Sequence, residues 1–306
     1  MSGAPDAGLR PPAAVAFVGL GRMGAPMAGH LAAGGWTVRV FDRSAAALDG
    51  FAAAGTGAVR AASPAAAAAG AAAAITMLPD GAAVREAVFG PGGLAEGLPR
   101  GALVVDMSSS APLATRRLGE ELAARGLGLV DAPVSGGVKR ARDRTLAIMA
   151  GGDPGLVARC RPLLAAMGGV VHETGALGTG HAMKALNNFV SAAGLQATCE
   201  ALIVGGRFGL DPGKMVDILN ASTGRNNSTE AKARQFILSG SFASGFSLAL
   251  MAKDLRTAAA LAGQLDVAAP TAQAVSQLWD RALEALEPGA DHTEIHRYLA
   301  SLAGGA

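Results

Sequence analysis

From Ala14 onward, short unbroken apolar runs alternate with stretches in which apolar residues recur every three or four positions. The runs at Val15–Val18, Thr37–Phe41, Ala73–Met77, Leu103–Asp106 and Leu127–Asp131 predict strands buried on both faces, with a shorter strand at Ala58–Arg60. Ser44–Ala54 and Pro112–Ala124 predict helices between them, and Ser63-Pro64 supplies a cap followed by proline at the first helical position. Such alternation predicts an α/β fold with a doubly wound parallel sheet. Past Gly178 the pattern turns helical: His181–Phe208, Pro212–Asn220, Asn227–Leu238, Leu248–Gln264, Thr271–Leu286 and Asp291–Leu302, punctuated by glycine and proline. The chain thus divides into a flexible tail over 1–12, an α/β domain over 13–178 and an all-α domain over 179–306, joined by a long interdomain helix.

Composition narrows the function. Half of the 306 residues are hydrophobic and 70 are alanine, yet the alanine-rich stretch Ala65–Ala74 is broken by Gly70 and is too short to span a bilayer. With 26 basic and 24 acidic side chains, the net charge of +2 excludes a globally basic nucleic-acid binder. Neither a membrane nor a nucleic-acid partner is expected. Cys160 and Cys199 form no CxxC, which excludes a disulfide scaffold and points to a reduced, cytoplasmic setting. The leader lacks the basic start and apolar core of a secretory signal.

The first strand runs into Gly19-Leu20-Gly21-Arg22-Met23-Gly24, which opens a helix through Leu31. In a Rossmann dinucleotide site the first glycine permits the tight turn, the second admits the pyrophosphate and the third allows close helix–strand packing. Asp42, at the end of the next strand, is placed to accept hydrogen bonds from an adenosine ribose, which favours NAD. Arg43 beside it suits a 2′-phosphate, so NADP stays open.

Two further segments carry chemistry. Asp131-Ala132-Pro133-Val134-Ser135-Gly136-Gly137 offers a hydroxyl and two bare backbone N–H groups, a set suited to a carboxylate; it also reads as a plain strand-end turn. Gly178-Thr179-Gly180-His181-Ala182-Met183-Lys184-Ala185-Leu186-Asn187-Asn188 opens the long helix, with Lys184 and Asn188 on one face. A lysine in an apolar setting can serve as an acid/base group; a surface lysine on an amphipathic helix is the alternative.

Taken in order, Phe17–Leu31, Asp131–Gly137, Gly178–Asn188 and Lys253-Asp254-Leu255, with Leu78-Pro79 and Asp106-Met107-Ser108-Ser109 between them, resemble the β-hydroxyacid dehydrogenase family. That family includes 3-hydroxyisobutyrate dehydrogenases and tartronate semialdehyde reductases. The resemblance implies NAD(P)-dependent hydride transfer on a short β-hydroxy acid or the matching semialdehyde, without a metal, in a homodimer or homotetramer. It implies that Gly19, Gly21 and Gly24 hold the pyrophosphate and that Leu78, Pro79 and Ser109 line the cofactor site. Ser135, Gly136 and Gly137 match the carboxylate loop, Lys184 the catalytic lysine and Asn188 the substrate-orienting asparagine. Lys253 matches a lysine that closes on the nicotinamide. An imine reductase on the same scaffold usually carries another residue at the lysine position. A non-catalytic interaction module tends to lose the lysine and gain nucleic-acid-binding segments; Lys184 argues against both.

Three positions depart from the family. His30 replaces a usual asparagine, and Arg140 and Arg144 replace glycine or alanine. The run Val138–Arg144 reads as a solvated loop, or else as a reader of a second substrate anion. His292 and His296 lack a third ligand partner and read as a solvated helix face, the two cysteines as buried apolar groups, and Arg225 and Asn227 as residues of a helix-linking loop, with a place in the substrate pocket as the alternative.

Overall fold

The structure, a computed structural model, describes residues 8–304. The chain forms two compact units, one ending at Lys184 and one beginning at Ala185.

The first unit is built on nine strands: β1 (Ala14–Val18), β2 (Thr37–Phe41), β3 (Val59–Arg60), β4 (Ala73–Thr76), β5 (Leu103–Asp106), β6 (Gly128–Asp131), β7 (Val134–Ser135), β8 (Leu146–Gly151) and β9 (Gly168–Gly175). Their order is β3-β2-β1-β4-β5-β6-β8-β7, with β9 beside β8. The first six are parallel in the Rossmann order. They read as continuous apolar runs because both faces are covered. Val15 and Phe17 join one cluster with Leu31, Ile75 and Val105, while Ala16 and Val18 join another with Ala74, Val84 and Val104.

The edge beyond β6 was not foreseen. β8 runs antiparallel to β6 and β7, and β9 runs parallel to β8. The leader also differs from expectation where it is described. Leu9 is buried and its N–H donates to the Arg159 carbonyl at 2.8 Å, so the chain is already packed before Pro12; residues 1–7 of the predicted tail lie outside the described residues.

The second unit is all-helical, with Leu195, Cys199, Leu248, Met251, Leu255, Val275, Trp279, Ile295 and Leu299 in its core. Trp279 is fully buried; truncating such a side chain costs about 3–5 kcal/mol. The predicted helix over Asn227–Leu238 breaks at Lys232 into Asn227–Ala231 and a π-helical turn, Ala233–Leu238. The last helix begins with a short 3₁₀ turn, His292–Glu294, before Ile295–Leu302.

Thr179–Phe208 is a single helix of 30 residues that begins in the first unit and ends in the second. By length and composition it is apolar enough to cross a membrane. Its start is fixed by Asp131 at the end of β6. One carboxylate oxygen accepts the Gly178 N–H and the other the His181 N–H, both at 2.7 Å, satisfying donors that the first helical turn leaves open. Gly180 lets that turn sit on the sheet, since a β-carbon there would lie 2.3 Å from the Met149 carbonyl oxygen. The fully buried His181 ring closes the arrangement: Nε2 donates to the Ser108 carbonyl at 3.2 Å, and Nδ1 lies 2.8 Å from Thr115 Oγ1. Asp106, at the end of β5, accepts from Thr76, Ser110 and the Ser108 N–H. Burial pushes the Asp131 carboxyl above the usual carboxylate range, against the opposing pull of His181 and the two N–H donors.

Asp131→Asn keeps the shape but presents an NH₂ to one of the two backbone N–H groups. We expect a loss of about 1–3 kcal/mol in unfolding free energy. Urea unfolding of the variant checks this; an unchanged midpoint and slope would show that the helix start does not depend on the carboxylate.

Candidate functional site

At the end of β1 the chain turns through Gly19, whose φ is +102°. A β-carbon on Gly19 would lie 2.3 Å from the Met77 carbonyl oxygen, and one on Gly24 would lie 1.9 Å from the Gly19 carbonyl oxygen. Gly21 has nothing within 4 Å of the corresponding point. Two glycines are therefore demanded by close backbone packing, and the middle one leaves room for a ligand's phosphates. This is the division of labour a dinucleotide turn requires. Leu20 follows in the buried part of the turn, Arg22 is exposed, and Met23 precedes helix Gly24–Ala33.

Asp42 has a structural task that the sequence did not disclose. Its Oδ2 accepts the Leu20 N–H at 2.7 Å and its Oδ1 the Ser44 N–H at 2.8 Å, so the acid ties β2 to the glycine turn. Arg43 is exposed next to it. Across the β1/β4 junction, the Leu78 side chain lies within 3.0 Å of the point a Gly19 β-carbon would occupy, and its N–H donates to Ser108 Oγ at 2.9 Å. Pro79 follows Leu78, and Ser109 stands between Ser108 and Ser110, both of which are spent on structural hydrogen bonds.

Ser135 ends β7, paired with Ala147 of β8. Gly136 and Gly137 have φ of +135° and +68°, and a β-carbon on Gly137 would meet open space. The basic run that follows is a short helix, Gly137–Arg142, rather than the expected loop, and its charged side chains are exposed. Lys139 pairs with Asp143 at 2.5 Å, and Arg144 donates to the Ala165 carbonyl. Arg140 differs: its stem crosses Gly136, with Cδ 2.5 Å from where a β-carbon would stand. His30 reaches the same short helix through Nε2, 2.9 Å from the Ala141 carbonyl oxygen.

Lys184 and Asn188 lie one turn apart on the long helix. Asn188 is buried and donates through Nδ2 to Asp254 Oδ2 at 2.6 Å, while its Oδ1 accepts from Asn187 at 3.2 Å. Lys253 Nζ lies 3.2 Å from Asp254 Oδ1. Asp254 therefore holds both a candidate substrate-orienting amide and a candidate cofactor-facing ammonium within the helical unit. Asp131, Asp106, His181 and Asp254 are the supporting residues that sequence reasoning left without a role. The signal was present: an acid closes each of two consecutive buried strands, and polar residues flank the lysine in an otherwise apolar helix.

Cys160 and Cys199 are buried, and burial pushes both thiols up to about 12, so they act as small apolar groups. Arg225 is exposed and lies 3.7 Å from Glu230, while Asn227 opens a short helix capped by Asn226. His292 corrects the expectation of a solvated face. It is buried, with Nδ1 2.9 Å from Ser244 Oγ and 3.1 Å from the Phe246 carbonyl oxygen, because the 3₁₀ turn rotates it inward. His296 is partly exposed, its ring 6.4 Å from that of Phe242.

Comparisons with known proteins give the family. Residues 14–175 match the family model for the NAD binding domain of 6-phosphogluconate dehydrogenase, and residues 178–299 match that for the NAD-binding domain of NADP-dependent 3-hydroxyisobutyrate dehydrogenase. The chain is 36% identical to 2-(hydroxymethyl)glutarate dehydrogenase of Eubacterium barkeri, over 87% of this chain and 88% of that protein. It is 38% identical to 3-hydroxyisobutyrate dehydrogenase of Pseudomonas aeruginosa, over 84% of this chain and 87% of that one. The solved structure of Mycobacterium tuberculosis 3-hydroxyisobutyrate dehydrogenase with L-serine superposes with a TM-score of 0.87 at 33% identity, covering 93% of this chain and 98% of that one. With two consecutive family models spanning nearly its whole length, the chain belongs to the β-hydroxyacid dehydrogenases of the 3-hydroxyisobutyrate dehydrogenase type, which are NAD(P)-dependent oxidoreductases.

Proposed function

We propose that this member interconverts a short β-hydroxy acid and the matching semialdehyde, with NAD preferred over NADP and Lys184 as the acid/base group. The observation that carries the reading is the helix face bearing Lys184 and Asn188, which begins one turn after the Asp131-anchored start. The bound nicotinamide supplies or accepts the hydride. In oxidation Lys184 takes the hydroxyl proton as the alkoxide forms; in reduction its ammonium polarises the carbonyl and returns that proton. Asn188, oriented by Asp254, aligns the substrate, and Ser135 with the N–H groups of Gly136 and Gly137 holds its carboxylate. Gly19 to Gly24, Leu78, Pro79, Ser109 and Lys253 form the cofactor side. We read 13–178 as the NAD(P)-binding domain and 179–306 as the substrate and oligomerisation domain.

The two free, buried cysteines support a reducing, cytoplasmic setting. Along the long helix Met183, Leu186, Val190, Val204 and Phe208 form an exposed apolar stripe. We assign it to a homodimer or homotetramer contact, because the opposite face is already packed into protein through Leu195, Cys199 and Leu202.

Three outcomes follow from this reading. Lys184→Ala is expected to lower kcat by about 10²-fold or more while cofactor binding, followed by fluorescence titration, persists; near-parental turnover removes the assignment. Comparison of kcat/KM with the two cofactors on one substrate is expected to favour NAD, and a preference of about tenfold or more for NADP would mean that Arg43 outweighs Asp42. Phe208→Asp is expected to weaken self-association by about 30-fold or more in sedimentation, and an unaltered association constant would clear the stripe of that role.

A further inference from the structure

The helical unit holds a second lysine whose environment the reaction above does not explain. Lys232 sits at the break between helix Asn227–Ala231 and the π-helical turn, and its side chain is largely buried. An ammonium carries three donors. Among the described residues, that of Lys232 makes one hydrogen bond, to Ser191 Oγ at 3.2 Å, and has no carboxylate within 4.0 Å. Burying a cation with donors to spare is costly unless an anion completes its shell.

Position gives that cost a purpose. Ser191 follows Lys184 by seven residues and Asn188 by three, so the three share one face of the long helix. The Ser191 position lies about 4.5 Å along the axis beyond Asn188. Lys232 thus places a positive charge beside the continuation of the face that carries the proposed chemistry, about two or three carbons further on.

The groups around it leave the charge available. Asp291, the acid that attracts it, already accepts both Ser244 contacts, the Gly245 N–H and the N–H and hydroxyl of Thr293. Although its burial opposes ionisation, the hydrogen bonds from His292, Thr293 and Ser244 hold Asp291 well below the usual carboxylate range. Burial lowers the pKa of His292, and burial raises the Cys199 thiol to about 12. Desolvation lowers Lys232 itself to about 8, which leaves it mostly protonated at neutral pH.

We propose that Lys232 is a specificity-determining residue that binds a second acidic group on the substrate, carried on the arm attached to the carbon between the carboxylate and the hydroxymethyl group. The proposal rests on the hydride-transfer reading above and narrows it to dianionic β-hydroxy acids.

The test pairs turnover with binding in the full-length protein. 3-Hydroxyisobutyrate and 2-(hydroxymethyl)glutarate share the reacting core and differ in the arm, methyl against carboxyethyl. Lys232→Met is expected to lower the ratio of kcat/KM for the dianion over the monoanion by about 30-fold or more, with Lys232→Arg recovering part of it. In calorimetric titrations, the parent is expected to bind glutarate more tightly than butyrate, and the Met variant to lose that difference. A kcat/KM ratio within about threefold of the parent in the Met variant, with the glutarate advantage intact, overturns the anion site while leaving hydride transfer standing. Absence of turnover of either acid by the parent with either cofactor, alongside a glutarate advantage that Lys232→Met abolishes, overturns the β-hydroxy-acid reading and supports the anion site.

Discussion

The hydrogen bonds from the Gly178 and His181 N–H groups to Asp131 are the constraint on which the rest of this molecule depends. A helix of 30 residues must start at one defined place and in one rotational setting if side chains two turns along it are to face a reaction centre. A single carboxylate with an oxygen for each donor sets both. The absence of a side chain at Gly180 brings the turn down to the strand ends, and the buried His181 ring couples it to the end of β5 through Ser108. The carboxyl is buried at an electrostatic cost, which a loop or an amide in its place would avoid only by giving up one of the two fixed contacts.

The nucleotide end is governed by backbone proximity rather than charge. Gly19 and Gly24 are glycines because carbonyl oxygens occupy the space of a side chain, whereas Gly21 faces empty space. Asp42 bridges β2 and this turn through Leu20, so the acid proposed to read a ribose also holds the glycine turn in place. In the helical unit Asp254 has a comparable double role, with Asn188 on one oxygen and Lys253 by the other.

Much of this was legible in the sequence. The parallel core announced itself because strands buried on both faces have no polar alternation, and the helices of the second unit because glycine and proline mark their ends. The edge strands β8 and β9 were hidden for the opposite reason. Leu146–Gly151 follows a charged run and ends in glycine, and Gly168–Gly175 is a largely exposed strand with a histidine, a glutamate and a threonine in it. Leu9 is the one leucine in a proline- and glycine-rich leader, so no periodicity betrayed its burial. His292 was misjudged because two histidines four apart imply a regular helix, and the 3₁₀ turn removes that premise. The glycine turn and the lysine helix were visible as motifs. The partners that hold them, Asp131, His181 and Asp254, depend on residues dozens of positions away, a relation that spacing along one chain does not encode.

His30 carries a consequence for the order of events. Its ring reaches from the helix that follows the glycine turn to the Ala141 carbonyl, in the short helix that follows Ser135, Gly136 and Gly137. The helix of the glycine turn and the segment proposed to receive a carboxylate are thereby fastened to one another by a side chain rather than only through the sheet. Displacing either segment therefore strains the contact that holds it to the other.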